Sequence, residues 1–252
     1  MRSKLIDTLK LDNHAVAVLH TDERPAQALQ FQPGKWGCVI SMFSAASKGK
    51  TAVFDSKTCG CSDGGMALCL ADLEEPPGGL AAFLSTGGGI GCPPGERYIK
   101  TPELAQHSID ILPDIRIPQK YVVLKPLDEI DTAQETPVLV VILGKADQIS
   151  ALHFMANYAR PGGEVVYMPW GAGCHTMHLF PFVESSKPEP RAVLGGTDLS
   201  ARPRIDADRL GFSIPWPLFM EMESNVEGSF MTHGAWPTLL GNEHMASPLV
   251  RD

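Results

Sequence analysis

Six cysteines stand at positions 38, 59, 61, 69, 92 and 174, and three share a local grammar. Trp36-Gly37-Cys38 runs into the apolar stretch Val39 to Phe43. Cys59-Gly60-Cys61-Ser62-Asp63-Gly64-Gly65 runs into Met66 to Leu70, and Gly171-Ala172-Gly173-Cys174 into His175 to Phe180. Each sets a cysteine at or just before an apolar helix, behind a glycine-bearing turn. A helix start presents unpaired N–H groups and a positive dipole end, which stabilise a thiolate. Glycines let backbone amides approach the sulfur. N–H···S bonds and burial are the levers that hold and tune iron–sulfur clusters. Three such thiolates meeting at one point suit an anionic cluster better than a lone zinc. Cys92, in the loop from Gly87 to Gly95, is placed to deliver a fourth ligand, with Cys59 of the C-x-C pair as the alternative. Cys69 reads as core. There is no C-x-x-C-x-x-C run, so two other readings stay open: cysteines buried as small apolar residues, and a catalytic or redox-sensing thiol.

Other polar residues offer weaker chemistry. Arg191 and Arg202 could clamp a small anionic ligand, or Arg202 could steady a turn with Asp198. His175 and His178 would make zinc ligands beside Cys174, or a base for Cys174 as nucleophile; otherwise they are partly exposed. Such a protein would be a zinc-bound or metal-free small-molecule binding module, or a thiol enzyme. Gly87 to Gly91 lacks the Lys-Ser/Thr of a phosphate loop, and no Gly-x-Ser-x-Gly, His-Glu-x-x-His or kinase set occurs.

These residues need a scaffold. The chain has 252 residues, 44 % of them hydrophobic, enough to bury a core. Its 21 basic residues against 29 acidic ones give −8, with no basic stripe, so nucleic-acid binding is not expected. The longest apolar run, Val138 to Leu143, is far short of the ~20 residues that span a bilayer. Asp7 stands where a signal peptide needs apolar residues, which predicts a soluble cytoplasmic chain with no membrane partner. Short apolar runs predict strands at 14–20, 51–54, 121–124, 138–143, 164–168 and 191–194. Helices are expected at 3–11, 38–46, 65–70, from Thr101-Pro102-Glu103, at 145–158, at 217–226, and from Cys174 until Pro181 interferes. The alternation predicts an α/β or α+β fold, a mixed sheet flanked by helices with long Gly/Pro-rich loops. Residues 1–252 read as a single domain, with two α/β subdomains meeting near 126–136 as a variant.

Several strings carry a resemblance. They include Lys35-Trp36-Gly37-Cys38, Gly60-Cys61 with Gly64-Gly65, Gly95-Glu96-Arg97-Tyr98, Ala156-Asn157-Tyr158, Ala172-Gly173-Cys174, Pro190-Arg191-Ala192-Val193, Asp198 to Arg202, and Met222 to Phe230. Together they resemble, from about residue 14 to 240, the family catalogued as domain of unknown function 169, frequent in anaerobic bacteria and archaea. The family's recurrent cysteines correspond to Cys38, Cys61 and Cys174. Its usual Gly-Cys-Pro-Gly-Gly is replaced here by Gly60-Cys61-Ser62-Asp63-Gly64-Gly65, which loses a proline and lengthens the turn. An anaerobic distribution implies an oxygen-sensitive centre. The expectation is therefore an iron–sulfur cluster, of the [4Fe–4S] type, on Cys38, Cys61 and Cys174, with Cys92, Cys59 or an exogenous group completing it. A role in redox chemistry, sensing or ligand binding follows, with a redox partner or a small anionic ligand, and self-association into a homo-oligomer is compatible with it.

Overall fold

The computed structural model describes residues 1–88, 92 and 94–241. The strands are β1 (Val16–Thr21), β2 (Ala52–Phe54), β3 (Tyr121–Pro126), β4 (Leu139–Gly144), β5 (Val166–Tyr167), β6 (Ala192–Gly195) and β7 (Leu210–Pro215). They form one mixed sheet in the order β2-β3-β1-β4-β7-β6-β5. Among the described strands, only β5 and β6 pair with each other in parallel. This is the α/β fold that the alternation of elements predicts. In the centre, Val18 of β1 faces Leu124 of β3 on one side and Leu139 of β4 on the other. Strands on both sides of residues 126–136 thus share the sheet.

Both faces of the central strands are covered, which is why β1 and β4 read as continuous apolar runs. Ala17, Leu19, Val140, Ile142, Phe212 and Ile214 bury themselves on the first face. Against them pack α1 (Lys4–Leu9), α6 (Ala146–Asn157), α8 (Trp216–Ser224) and α9 (Ala235–Leu240). The alternate residues Val16, Val18, Phe54, Leu124, Leu139 and Val141 line the second face. That face is covered by α2 (Val39–Ser47), α3 (Ser62–Ala67), and a π-helical turn, His175–Leu179, that runs into α7 (Phe180–Ser185). Phe43 of α2 and Phe54 of β2 are fully buried there, and each such side chain contributes about 1.5–3 kcal/mol. The three sulfur-bearing segments therefore lie on one face of the sheet.

The remaining helices, α4 (Leu80–Leu84) and α5 (Pro102–Asp110), pack on each other. α5 starts as its sequence dictates: Thr101 Oγ1 accepts from the Leu104 N–H, and proline takes the first turn.

Several expectations need correction. α3 starts at Ser62, ahead of the expected Gly65, because Cys61 itself caps it. α4 lies in a stretch expected to be loop, and β7 and α9 are additional elements. The strand at 164–168 shrinks to β5. Pro181 does not end its helix. The π-helical turn resets the hydrogen-bond ladder, so Pro181 falls in the first turn of α7, where a missing N–H costs little. Of the Gly87–Gly91 stretch, residues 89–91 lie outside the described residues. No helix among the described residues is long and apolar enough to cross a membrane.

Candidate metal centre

The site is built where α2 and α3 begin side by side. Cys38 is the cap residue of α2, with extended backbone (φ −82°, ψ 123°). Cys61 caps α3, and its Sγ accepts a hydrogen bond from the Gly64 N–H at 3.2 Å. The Gly37 N–H donates to the Gly60 carbonyl at 3.1 Å, tying the two cysteine turns together. Gly60 has φ +91°, and a Cβ there would sit 2.4 Å from the Gly37 oxygen. A side chain is therefore excluded by backbone conformation and by space. A Cβ on Gly64 would fall 2.5 Å from Val39 Cγ2. These two glycines are what allow the helix starts, and hence their sulfurs, to approach.

Cys174 arrives from the other end of the chain. It lies in the first helical turn (φ −68°, ψ −33°), at the helix start expected for it. It is 7 % exposed. Its thiol donates to Asp63 Oδ2 at 3.2 Å, while His175 Nε2 meets Asp63 Oδ1 at 2.8 Å. Further along, His178 Nδ1 donates to the Ala67 carbonyl at 2.7 Å. The π-helical turn thus lies parallel to α3 and is fastened to it at both ends. Widened turns of this kind recur at functional sites, and here two consecutive side chains reach one carboxylate.

The electrostatics are those of a crowded anionic pocket. Burial pushes the Cys174 thiol well above its ordinary value, and the charges of Asp63, Cys61 and Cys38 push the same way. The Cys61 thiol is pushed up to about 11 by burial, eased by the Gly64 N–H and aggravated by Asp63, Cys38 and Cys59. Burial also works to raise Asp63, but His175 and the Cys174 thiol prevail and hold it below the usual carboxylate range. The charges of Asp63 and Cys38 thus make both the Cys61 and the Cys174 thiol harder to ionise. A cation among them inverts this logic, since it favours every anion at once. The donor set, thiolates with a carboxylate and an imidazole at hand, fits a metal centre. The ligand atoms of Asp63, Cys174 and His175 all lie within 4.8 Å of one another, close enough for a single ion. Among the described residues Cys38, Cys61 and Cys174 do not form such a close set.

Acids border this pocket. Asp198 accepts from the Gly173 N–H at 3.0 Å and from the Ser200 hydroxyl. Glu96 is raised by burial and by the nearby charges of Asp198 and Asp63.

The other expected site residues have surroundings of their own. Cys59 turns its sulfur toward Gly65, where a Cβ would meet it at 2.7 Å; its charged neighbours are Asp55 and Glu74. Cys92 packs its sulfur on Gly78 and Gly88. Cys69 is fully buried in the second-face core, as expected. Arg191 pairs with the buried Glu184 and stacks over the Tyr167 ring at 4.2 Å. The Arg202 guanidinium donates to backbone carbonyls of Gly196, Asp206, Ala207 and Arg209, not to Asp198. His175 and His178, expected to be partly exposed, are 5 % and 0 % exposed. The hydrogen-bond partner of Cys174 is a carboxylate and not an imidazole, because His175 faces Asp63 and His178 faces His20 at 3.0 Å. Asp63 is the site residue that sequence reasoning missed.

None of the curated proteins and none of the solved structures matches this chain. A family model does, over residues 4–225, a span that holds Cys38, Cys61, Asp63, Cys174 and His175. The chain therefore belongs to the family catalogued as domain of unknown function 169 and described as uncharacterised ArCR.

Proposed function

We propose that the protein binds an iron–sulfur cluster of the [4Fe–4S] type through Cys38, Cys61 and Cys174, for redox chemistry, sensing or ligand binding. The observation that carries this reading is that three sulfurs distant in sequence sit on segments packed on one face of the sheet, with the charges of Cys38 and Cys61 raising the cost of ionising Cys174. The Gly64 N–H at Cys61 is the kind of amide contact that tunes such clusters. Bound there, the cluster would supply electron transfer or an iron site for a ligand; the protein's part is to hold the thiolates and shield them. Protein purified without oxygen should be brown, with iron and sulfide in near-equal amounts. Colourless protein that takes up no iron and sulfide under reducing conditions overturns the proposal.

A second reading is favoured by the closeness of Asp63, Cys174 and His175. These three would hold one divalent ion such as zinc, with a fourth position open. One metal per chain with no sulfide supports it and excludes the cluster, since both readings need Cys174.

A further inference from the structure

The single-ion reading needs Cys174 and His175 held together at one carboxylate, and the inference here rests on that reading. The two residues are consecutive, and the residues on either side of them are both fastened to one stretch of chain, Gly196 to Arg202. On one side the Gly173 N–H donates to Asp198 Oδ2 at 3.0 Å. Gly173 has little room to shift, since a Cβ there would lie 3.0 Å from Ile40 and 3.2 Å from Ala201. On the other side Thr176 Oγ1 accepts from the Gly196 N–H at 3.3 Å and donates to the Gly173 carbonyl at 3.0 Å. The stretch is itself braced. The Ser200 N–H and hydroxyl donate to Asp198 Oδ1 at 3.0 and 2.8 Å, which leaves Oδ2 for Gly173. The Asp198 carbonyl accepts from the N–H groups of Ala201 and Arg202. The Arg202 guanidinium ties down the carbonyls of Gly196, Asp206, Ala207 and Arg209.

We propose that Asp198 is a positioning residue for the metal centre. Through the Gly173 N–H it sets where the Cys174 sulfur and the His175 ring stand before an ion arrives. Cys174 Sγ and His175 Nε2 already meet the two oxygens of Asp63 at 3.2 and 2.8 Å. Ligands preset in this way lose less freedom when the ion binds, so the brace raises affinity without touching the ion. Partners one step behind metal ligands typically carry about 10–100-fold of metal affinity. Asp198 differs from the usual case in acting through the backbone of the residue before the ligand, which places both members of the consecutive pair at once.

The test is titration of the whole metal-free chain with cobalt(II) in the absence of oxygen, followed by absorption. Thiolate coordination gives a near-ultraviolet charge-transfer band, and tetrahedral geometry gives strong visible absorption. Asp198→Ala has no acceptor for the Gly173 N–H; it should bind cobalt at least about tenfold more weakly than the wild type, with a diminished visible band. Asp198→Asn keeps an oxygen in place and should stay within about threefold of the wild type. Asp198→Glu keeps the charge but displaces the oxygen by a methylene, and should lose affinity as Asp198→Ala does. Urea unfolding of the metal-free proteins shows which variants are folded; a merely structural role would lower the urea midpoint and leave the affinity and spectrum of the folded protein unchanged. Wild-type affinity and spectrum in Asp198→Ala overturn the assignment. So does an Asp198→Asn as weak as Asp198→Ala, because charge and not position would then be at work. Should Asp198→Ala not fold, Asp198→Glu decides, and wild-type affinity there overturns the assignment. A wild type that gives no thiolate band, or a band that survives in Cys174→Ala, defeats the single-ion reading itself, a different and recognisable failure.

Discussion

Lowering the pH from 7 to 5 should weaken the fold through one pair of imidazoles. His20 Nε2 and His178 Nε2 stand 3.0 Å apart, and His178 Nδ1 donates to the Ala67 carbonyl at 2.7 Å. His178 is neutral with its proton on Nδ1, so its Nε2 must accept and His20 Nε2 must donate. A second proton has no place between the rings. Burial accordingly lowers His178 to about 4, and burial together with His178 lowers His20 to about 3. The unfolded chain protonates both near 6.5, so it gains protons on acidification that the folded chain refuses. The stability tied to this pair is whole above about pH 6.5 and drains as the pH falls from there toward the folded values. With about 1.36 kcal/mol per pH unit, the fully buried His178 alone costs about 2 kcal/mol between pH 7 and pH 5, and His20, which is also lowered, adds to it. Urea unfolding followed by circular dichroism at several pH values measures this. His178→Asn is the control, since the amide keeps a donor for the Ala67 carbonyl and cannot titrate. Its loss between pH 7 and pH 5 should be smaller than that of the wild type by about 2 kcal/mol. Equal losses in the two proteins would refute the assignment of a neutral, hydrogen-bonded pair.

Three further outcomes are expected. Gly64→Ala drives a methyl to 2.5 Å from Val39 Cγ2 and 3.0 Å from Cys61 Sγ; such overpacking costs about 1–3 kcal/mol, visible as a lower melting temperature. Cys61→Ala should cut iron retained after anaerobic reconstitution at least about tenfold, whereas Cys59→Ala and Cys92→Ala, which alter residues packed on glycines outside the sulfur trio, should retain it. Glu184→Ala removes a carboxylate 2 % exposed from Arg191 and Lys187, whose side chains stay 39 % and 45 % exposed and so keep their hydration; a loss of about 1–2 kcal/mol should appear as a lower urea midpoint with unchanged slope.

The positions of Cys38 and Cys61 could be read in the sequence because a glycine turn followed by an apolar run is a local signal. So could the central strands, whose residues are apolar on both faces. β7 escaped because Gly211 and Pro215 flank its apolar residues and a charged stretch precedes it, which together look like loop. α4 was hidden between Pro76-Pro77-Gly78-Gly79 and Gly87. Asp63 was hidden for a different reason: an acid in a first helical turn is ordinary helix chemistry, and only the arrival of Cys174 and His175 gives it another task. The burial of His178 was invisible because its partner, His20, lies in β1, 158 residues away. Local composition shows which side chains are able to do chemistry, and the crossings of the sheet decide which of them meet.

The clasp between α3 and the π-helical turn has a consequence for the order of events in folding. Its three hydrogen bonds join residues 111 and 112 positions apart. β3, β4 and β5 all lie between the partners, so the clasp can close only once this whole stretch of chain exists. Contacts of such long sequence separation form late. A nascent chain at a ribosome would hold Cys38 and Cys61 exposed and incomplete until the segment around residue 174 has emerged and docked. Occupancy of the pocket would then report that maturation is finished.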